Sequence, residues 1–331
     1  MIDVVYNHTS HDSVLIEQHP EYFYKNDEGE FANRVGDWWD ITDLDYNNSQ
    51  DLWEELIDTL LYWTSLGVDD YRFDVASLLP LEFLEEAHER ILDVNPSTIF
   101  LSESVHGGFV HFLRNQGYKA LSENEIYQVF DMAYDYDTHP YFEAYLKGEL
   151  PFKRYAEELK RQEEIYPDNY VKMRNLENHD YGRFSPMVNN DIDKINNWTA
   201  LSFFSKGATM VYAGQERLDK NRPDLFEIDK VNWNGPNITP LITKLAEITK
   251  DKSFSYGFYN IRTLDIDVFV GEYYYLGKQI VGIFNVGLET GELNLEIKDG
   301  HYVNLIDNSD IIVKNGKFEL SHKPIIFFIF P

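Results

Sequence analysis

Three short stretches each run from apolar residues into a carboxylate: Asp74 in GVDDYRFDVA, Glu103 in TIFLSESVHG and Asp180 in VKMRNLENHD. A fourth, IDVVYNH, opens the chain and supplies Asp3, Asn7 and His8. A single acid carries little information in a chain that holds 57 of them. Four β-type runs that each end in acid, Arg, His or Asn point instead to strand ends rimming one site. Arg72 and Asp74 stand two apart, so on a strand both side chains share a face. A neighbouring guanidinium keeps a carboxyl ionised, the state required of a nucleophile that attacks a sugar carbon. Glu103 follows the apolar TIFL, and an enclosed setting suits an acid that must keep its proton. Retaining glycosidases hold such a pair about 5–5.5 Å apart, one as nucleophile and one as acid and then base.

ENHD sets Asn178, His179 and Asp180 in a row. An imidazole beside a carboxylate can hydrogen-bond adjacent sugar hydroxyls, and His8 could do the same from the first stretch. Trp38, Trp39 and Tyr46 offer rings to stack on a sugar, although core packing is the expected fate of at least one tryptophan. His8 and His11 do not make a metal pair, because no third ligand or HExxH-type motif accompanies them.

The elements that must position these groups alternate. A β-branched run over 2–6 reads as a buried strand. A polar, aromatic excursion follows from Thr9 to Asp45. A helix then starts at an Asn48 or Ser49 cap, carries Leu52, Leu56, Ile57, Leu60 and Trp63 at helical spacing, and stops at Gly67. Strands are expected at Val68–Phe73, Thr98–Ser102, Tyr127–Ala133, Tyr170–Asn175 and Thr209–Tyr212. Helices are expected over Leu81–Leu92, Phe152–Ile165 and Ile192–Ser205. Such alternation argues for a parallel sheet closed by outer helices, an α/β barrel with its chemistry at the C-terminal strand ends. After Lys252 the helical period vanishes, and DVFVGEYYYLG, QIVGIFNV, ELNLEI and IIFFIF read as a small antiparallel sandwich.

At 331 residues the chain can bury a large core and still form a second, smaller domain. A net charge of −28 repels nucleic acid and anionic membrane and disfavours a phosphorylated substrate. No apolar run approaches the roughly 20 residues needed to cross a bilayer. Without cysteine there is no disulfide, thiolate chemistry or cysteine metal site. The compartment stays open with a lean toward the cytoplasm, since a signal peptide could precede Met1; oligomeric state is not readable.

DVVYNH, GVDDYRFDVA, FLSESVHG and LENHD, in this order, resemble the four signature regions of the α-amylase superfamily of glycoside hydrolases. GATMVYAGQE is similar to that family's eighth-strand segment, and ITDLDYNN to the segment that closes its inserted domain. The resemblance implies a (β/α)8 TIM-type barrel over 1–252, with a short inserted subdomain at about 9–45, and an antiparallel β domain over 253–331. It implies that Asp74 is the nucleophile, that Glu103 is the acid and then base, and that Asp180 binds and distorts the sugar. Arg72 would orient Asp74, while His8 and His179 would contact the sugar. The substrate implied is an α-glucan or oligosaccharide, cleaved through a covalent glycosyl-enzyme. A transglycosylase of the same family and a non-catalytic binding relative are the alternatives.

Two departures qualify the match. Family barrels carry two strand-helix units before DVVYNH, so an N-terminally truncated chain is expected, with its activity alone in question. Ser77 and Leu78 stand where the family has a Lys-His pair that helps bind the leaving side and calcium. Asn7 matches a calcium ligand, yet the rest of that site is not evident, so no metal is expected, with calcium through Asn7 as the alternative. Val75 after the nucleophile resembles members acting on α-1,6 bonds.

Overall fold

The computed structural model describes residues 1–36, 38–47 and 49–330. The chain divides into two units, Met1–Asp137 with Ile165–Lys172, and Thr138–Glu164 with Met173–Pro331.

In the first unit four strands lie parallel in the order Ile2–Val4, Asp70–Phe73, Ile99–Ser102 and Met132–Tyr134. Asp3 stands opposite Arg72, and Arg72 opposite Leu101. Alternate residues face opposite sides of a sheet, which separates two tasks. Tyr71, Phe73 and Phe100 join the apolar cluster shared with the helices, and the Tyr71 hydroxyl donates to Leu60 O at 2.9 Å. Asp3 and Arg72 share the other face. The helix Gln50–Ser65 opens on Ser49, whose hydroxyl accepts from Leu52 N–H; the alternative cap Asn48 lies outside the described residues. It buries Leu52, Leu56, Ile57 and Leu60 and ends at Gly67, where φ of +93° suits glycine. The polar excursion forms its own small sheet, His8–Ser10 antiparallel to Ile41–Asp43.

One expected strand differs. Residues 127–133 were read as extended, but a helix Glu123–Ile126 leads into them, and the strand is only Met132–Tyr134. Ser122 and Glu125 form a capping box there. Ile126, Val129 and Phe130 are all buried, and a short apolar run looks the same whether it closes a helix or builds a strand. Helices Gly107–Asn115, His139–Leu146 and Thr239–Ile248 were not legible either. The first opens on two glycines, and the others carry an early proline that reads as a breaker.

Lys172 and Met173 lie in one strand, Val171–Arg174, within which the chain passes from the first unit to the second. Met173 and Arg174 pair in parallel with Ala208 and Thr209, so the expected strand at 209–212 is shorter and begins earlier. Six strands of the parallel kind are present among the described residues. In the second unit Trp198, on the helix Ile192–Phe204, anchors the core, with Phe142, Tyr155 and Phe152 rings at 5.0, 5.7 and 5.8 Å. Two four-stranded antiparallel sheets follow. One runs in the order Ile325–Ile329, Lys278–Phe284, Phe269–Tyr275, Phe258–Arg262, and the other in the order Glu292–Asn294, Lys317–Glu319, Asp310–Lys314, Gly300–Val303. Val270, Val281, Ile283, Leu293, Ile311 and Phe327 belong to the apolar layer they enclose.

A glycine pair fixes how the first of these sheets meets the helix Ile192–Phe204. Gly271 and Gly282 are cross-strand partners. A Cβ on either would stand 2.8 or 2.7 Å from the Phe204 ring, so the pair is a socket for that ring. Gly282→Ala is expected to destabilise the protein by about 1–3 kcal/mol through overpacking, measured by urea unfolding. Shrinking the ring should relieve the clash, so Gly282→Ala should cost less in a Phe204→Leu background than in the wild type.

Candidate active site

Arg72 gathers three carboxylates in the first unit. Its Nη1 donates to Asp3 Oδ1 and to Asp74 Oδ1, both at 2.7 Å. Nη2 lies 2.7 Å from Glu103 Oε1, off the hydrogen-bonding direction, so that contact is Coulombic. Nε donates to the Tyr134 hydroxyl at 3.3 Å. Burial works against the guanidinium charge, but Glu103, Tyr134 and Asp3 outweigh it and hold the pKa above the ordinary arginine value. With 7% of its surface exposed, Arg72 is placed to hold carboxylates rather than to meet a sugar.

The backbone fixes the pair that Arg72 spans. Asp74 N–H donates to Val4 O and Glu103 N–H to Phe73 O, at 3.0 and 2.9 Å. Val75, a β-branched residue, takes φ of +43°, a conformation that costs on the order of 1–3 kcal/mol. The sharp turn aims Val75 N–H at Glu103 Oε2, 3.0 Å away, and Ala76 N–H at Glu103 O, 3.1 Å away. The Asp74 side chain keeps 19% exposure and that of Glu103 only 9%. One carboxylate is thus reachable from solvent, and the other is enclosed beside it.

His8 stands opposite Asp43 in the small sheet, with Nδ1 3.3 Å from Asn7 Nδ2 and its ring 6.0 Å from Trp38. Trp39 is 82% exposed. Tyr46 is core instead: it donates to Tyr6 O at 2.7 Å and packs on Phe83 at 4.9 Å. The His11 ring nitrogens lie 2.8 Å from Thr42 Oγ1 and 2.9 Å from Trp39 O, a structural tie.

The surroundings of Asn7 do not fit a calcium ion. Asn7 Nδ2 donates to Asp43 Oδ1 at 3.5 Å. The Arg34 backbone N–H and Nη1 reach Asp43 Oδ2 at 2.8 and 3.3 Å, Nη1 reaches Leu44 O at 3.1 Å, and Nη2 reaches Asp45 Oδ1 at 3.4 Å. Asp43 Oδ2, Leu44 O and Asp45 Oδ1, the oxygens beside Asn7, already hold a guanidinium. A cavity of about 440 Å³ adjoins this network, lined by Asn7, Arg34, Tyr46, Trp53, Leu78 and Tyr118 among others. None of Asp74, Glu103 and Arg72 lines it, so it is not the catalytic surface.

In the second unit a different lock holds the turn that bears His179 and Asp180. Glu177, 2% exposed, accepts from Arg183 Nη1 at 2.8 Å and from Phe184 N–H at 2.7 Å. Asn178 Oδ1 accepts from the N–H groups of Asp180 and Tyr181 at 2.9 and 3.0 Å. Tyr181 stacks on His139 at 3.5 Å. His179 Nε2 is 3.4 Å from Asp180 Oδ1, and both side chains stay more than a third exposed. Burial raises the Glu177 carboxyl, which its hydrogen bonds only partly offset.

Sequence reasoning named Asp3 but gave it no role, and it missed Tyr134, Arg34, Glu123 and Lys172. The alternation of VKMR could have flagged Lys172 as a buried cation. Nothing local links Tyr134 to Arg72, 62 residues away.

The α-amylase catalytic-domain family matches residues 24–253, and the bacterial α-amylase C-terminal domain matches 260–327. The structure of an α-amylase from Lactobacillus plantarum is 38% identical, with a TM-score of 0.94 over 99% of this chain and 77% of that one. A noncanonic maltogenic α-amylase, AmyB, from Thermotoga neapolitana is 29% identical with a TM-score of 0.85, over 99% and 77%. An α-1,4-glucan:maltose-1-phosphate maltosyltransferase of Picrophilus torridus is 30% identical over 156 residues, 43% of this chain. The chain spans about a quarter of that relative's length, 25%. The parallel strands with Asp74 and Glu103 at their ends, and the antiparallel sheets that follow, are accounted for together, and the chain belongs to the α-amylase family.

Proposed function

We propose that the chain is a retaining enzyme acting on α-glucosidic bonds of α-glucans or malto- and isomalto-oligosaccharides. The observation that carries this reading is the single guanidinium of Arg72 spanning Asp74 and Glu103. A reachable, ion-paired aspartate serves as nucleophile. An enclosed glutamate beside it protonates the departing oxygen and then activates the incoming acceptor. Asp180 and His179 bind the sugar, with His8 a further contact. Water as acceptor gives hydrolysis and a sugar hydroxyl gives transfer. The match to a maltosyltransferase favours keeping transfer as the second reading.

A fluorinated maltosyl donor that slows the second step tests the first. Intact-mass spectrometry should show one maltosyl adduct, and peptide mapping should place it on Asp74. An adduct elsewhere, or none while turnover proceeds, would overturn the assignment. Product analysis on maltoheptaose separates hydrolysis from transfer by whether sugars longer than the substrate form.

The Arg34 network carries its own expectation. Arg34→Ala would leave Asp43, buried and already raised by burial, without its cation, a loss of about 3 kcal/mol. EDTA should leave the melting temperature of the wild type unchanged. A melting temperature that falls in EDTA and returns with calcium would reverse this reading.

A further inference from the structure

Beneath the catalytic pair the first unit buries a second charged cluster that the reaction as described does not use. Lys172, fully buried, contacts the Glu123 carboxylate and lies 3.0 Å from Asp137 Oδ1. Tyr166 Oη is 2.7 Å from Glu123 Oε2 and 2.8 Å from Asp137 Oδ2. Asp135 adds a further negative charge facing Lys172, whose ammonium also lies over the Tyr166 ring at 4.6 Å. One ammonium thus serves several carboxylates, and one phenol hydrogen serves two. Burial of an uncompensated charge is costly, so the cluster favours holding a proton, and burial pushes the Glu123 carboxyl up to about 7.

This cluster reaches neighbours of the catalytic pair at two points. Ser104, the residue after Glu103 and itself buried, donates its hydroxyl hydrogen to Glu123 Oε1 at 2.8 Å. Tyr134 O lies 3.4 Å from both Lys172 Nζ and Ser104 Oγ, while the Tyr134 hydroxyl accepts from Arg72.

We propose that Glu123, held by Lys172, is a positioning residue that fixes the acid Glu103 through Ser104. The proposal rests on Glu103 being the acid of a retaining reaction. Within the first unit, the charged and titratable groups around Glu103 are Arg72, with Asp74 and Asp3 on the same guanidinium, and Tyr134, while the Glu123 cluster reaches it only through Ser104. The variants Ser104→Ala and Glu123→Gln break the link from its two ends in turn.

Leaving groups separate positioning from plain structure. Cleaving maltoheptaose needs a proton from Glu103, whereas α-maltosyl fluoride departs with little proton help. Ser104→Ala and Glu123→Gln should each lower kcat/KM, which reports the first step, about 10-fold on maltoheptaose and less than about twofold on the fluoride. A second readout needs no turnover. A carbon-13 NMR titration of the Glu103 carboxyl, assigned with Glu103→Gln, should move its midpoint up in both Ser104→Ala and Glu123→Gln, because the carboxyl is no longer held against the Arg72 guanidinium. Equal losses on both substrates, or a Glu103 midpoint unmoved in a folded Glu123→Gln protein, overturns the proposal. A wild type that turns over neither substrate while the midpoint moves supports the network and refutes the reaction reading instead.

Discussion

Asp74→Asn is expected to lower turnover on maltoheptaose by at least about 10³-fold, roughly 4 kcal/mol of transition-state stabilisation. An amide cannot form the covalent glycosyl ester, so the two-step route closes while binding persists. The effect should fall on kcat rather than on KM. The fold should survive, because Arg72 keeps Asp3 and Glu103 as partners, and a partly exposed ion pair is worth only about 0–1 kcal/mol. The paired measurements are steady-state kinetics and a urea melt. A variant that keeps a tenth of wild-type turnover would show that Asp74 is not the nucleophile.

Glu103→Ala removes the proton donor and should cost about 10²–10⁴-fold on maltoheptaose. The loss in kcat/KM, which reports the first step, should shrink sharply on α-maltosyl fluoride, whose leaving group departs with little proton help. With that fluoride, the glycosyl-enzyme still forms on Asp74 but water is no longer activated, so added azide should restore turnover. Azide must enter from the face opposite Asp74, and the product should be α-maltosyl azide. A β-azide would mean that no covalent intermediate intervened. Equal losses in kcat/KM on both substrates would mean that Glu103 does not serve the leaving group. The enclosure of Glu103 and the Val75 N–H on its Oε2 also predict that the shorter Glu103→Asp cannot substitute, since its carboxyl falls short of the same place.

What the sequence made legible was the part encoded locally. The alternation of GVDDYRFDVA separates Tyr71 and Phe73 from Arg72 and Asp74, and the structure keeps that separation. The Ser49 cap and the Gly67 stop define the helix between them for the same reason. Order along the chain was enough to read the α/β part and the antiparallel part that follows it. Illegible were contacts made across long sequence separations. That Arg72 serves Asp3 and Glu103 as well as Asp74 depends on strand register. That Arg34 occupies the oxygens near Asn7 depends on how a polar excursion folds back. The Lys172 and Glu123 contact joins residues 49 apart. The Glu123–Ile126 helix was lost because buried apolar residues in short runs do not declare a period.

The most direct test follows the anomeric proton signals by NMR as the protein cleaves maltoheptaose and isomaltotriose, beside Asp74→Asn. Early release of the α-anomer from one of them, absent in the variant, is the predicted result, and the sugar consumed identifies the linkage. Early release of the β-anomer would show inversion and contradict a covalent intermediate on Asp74.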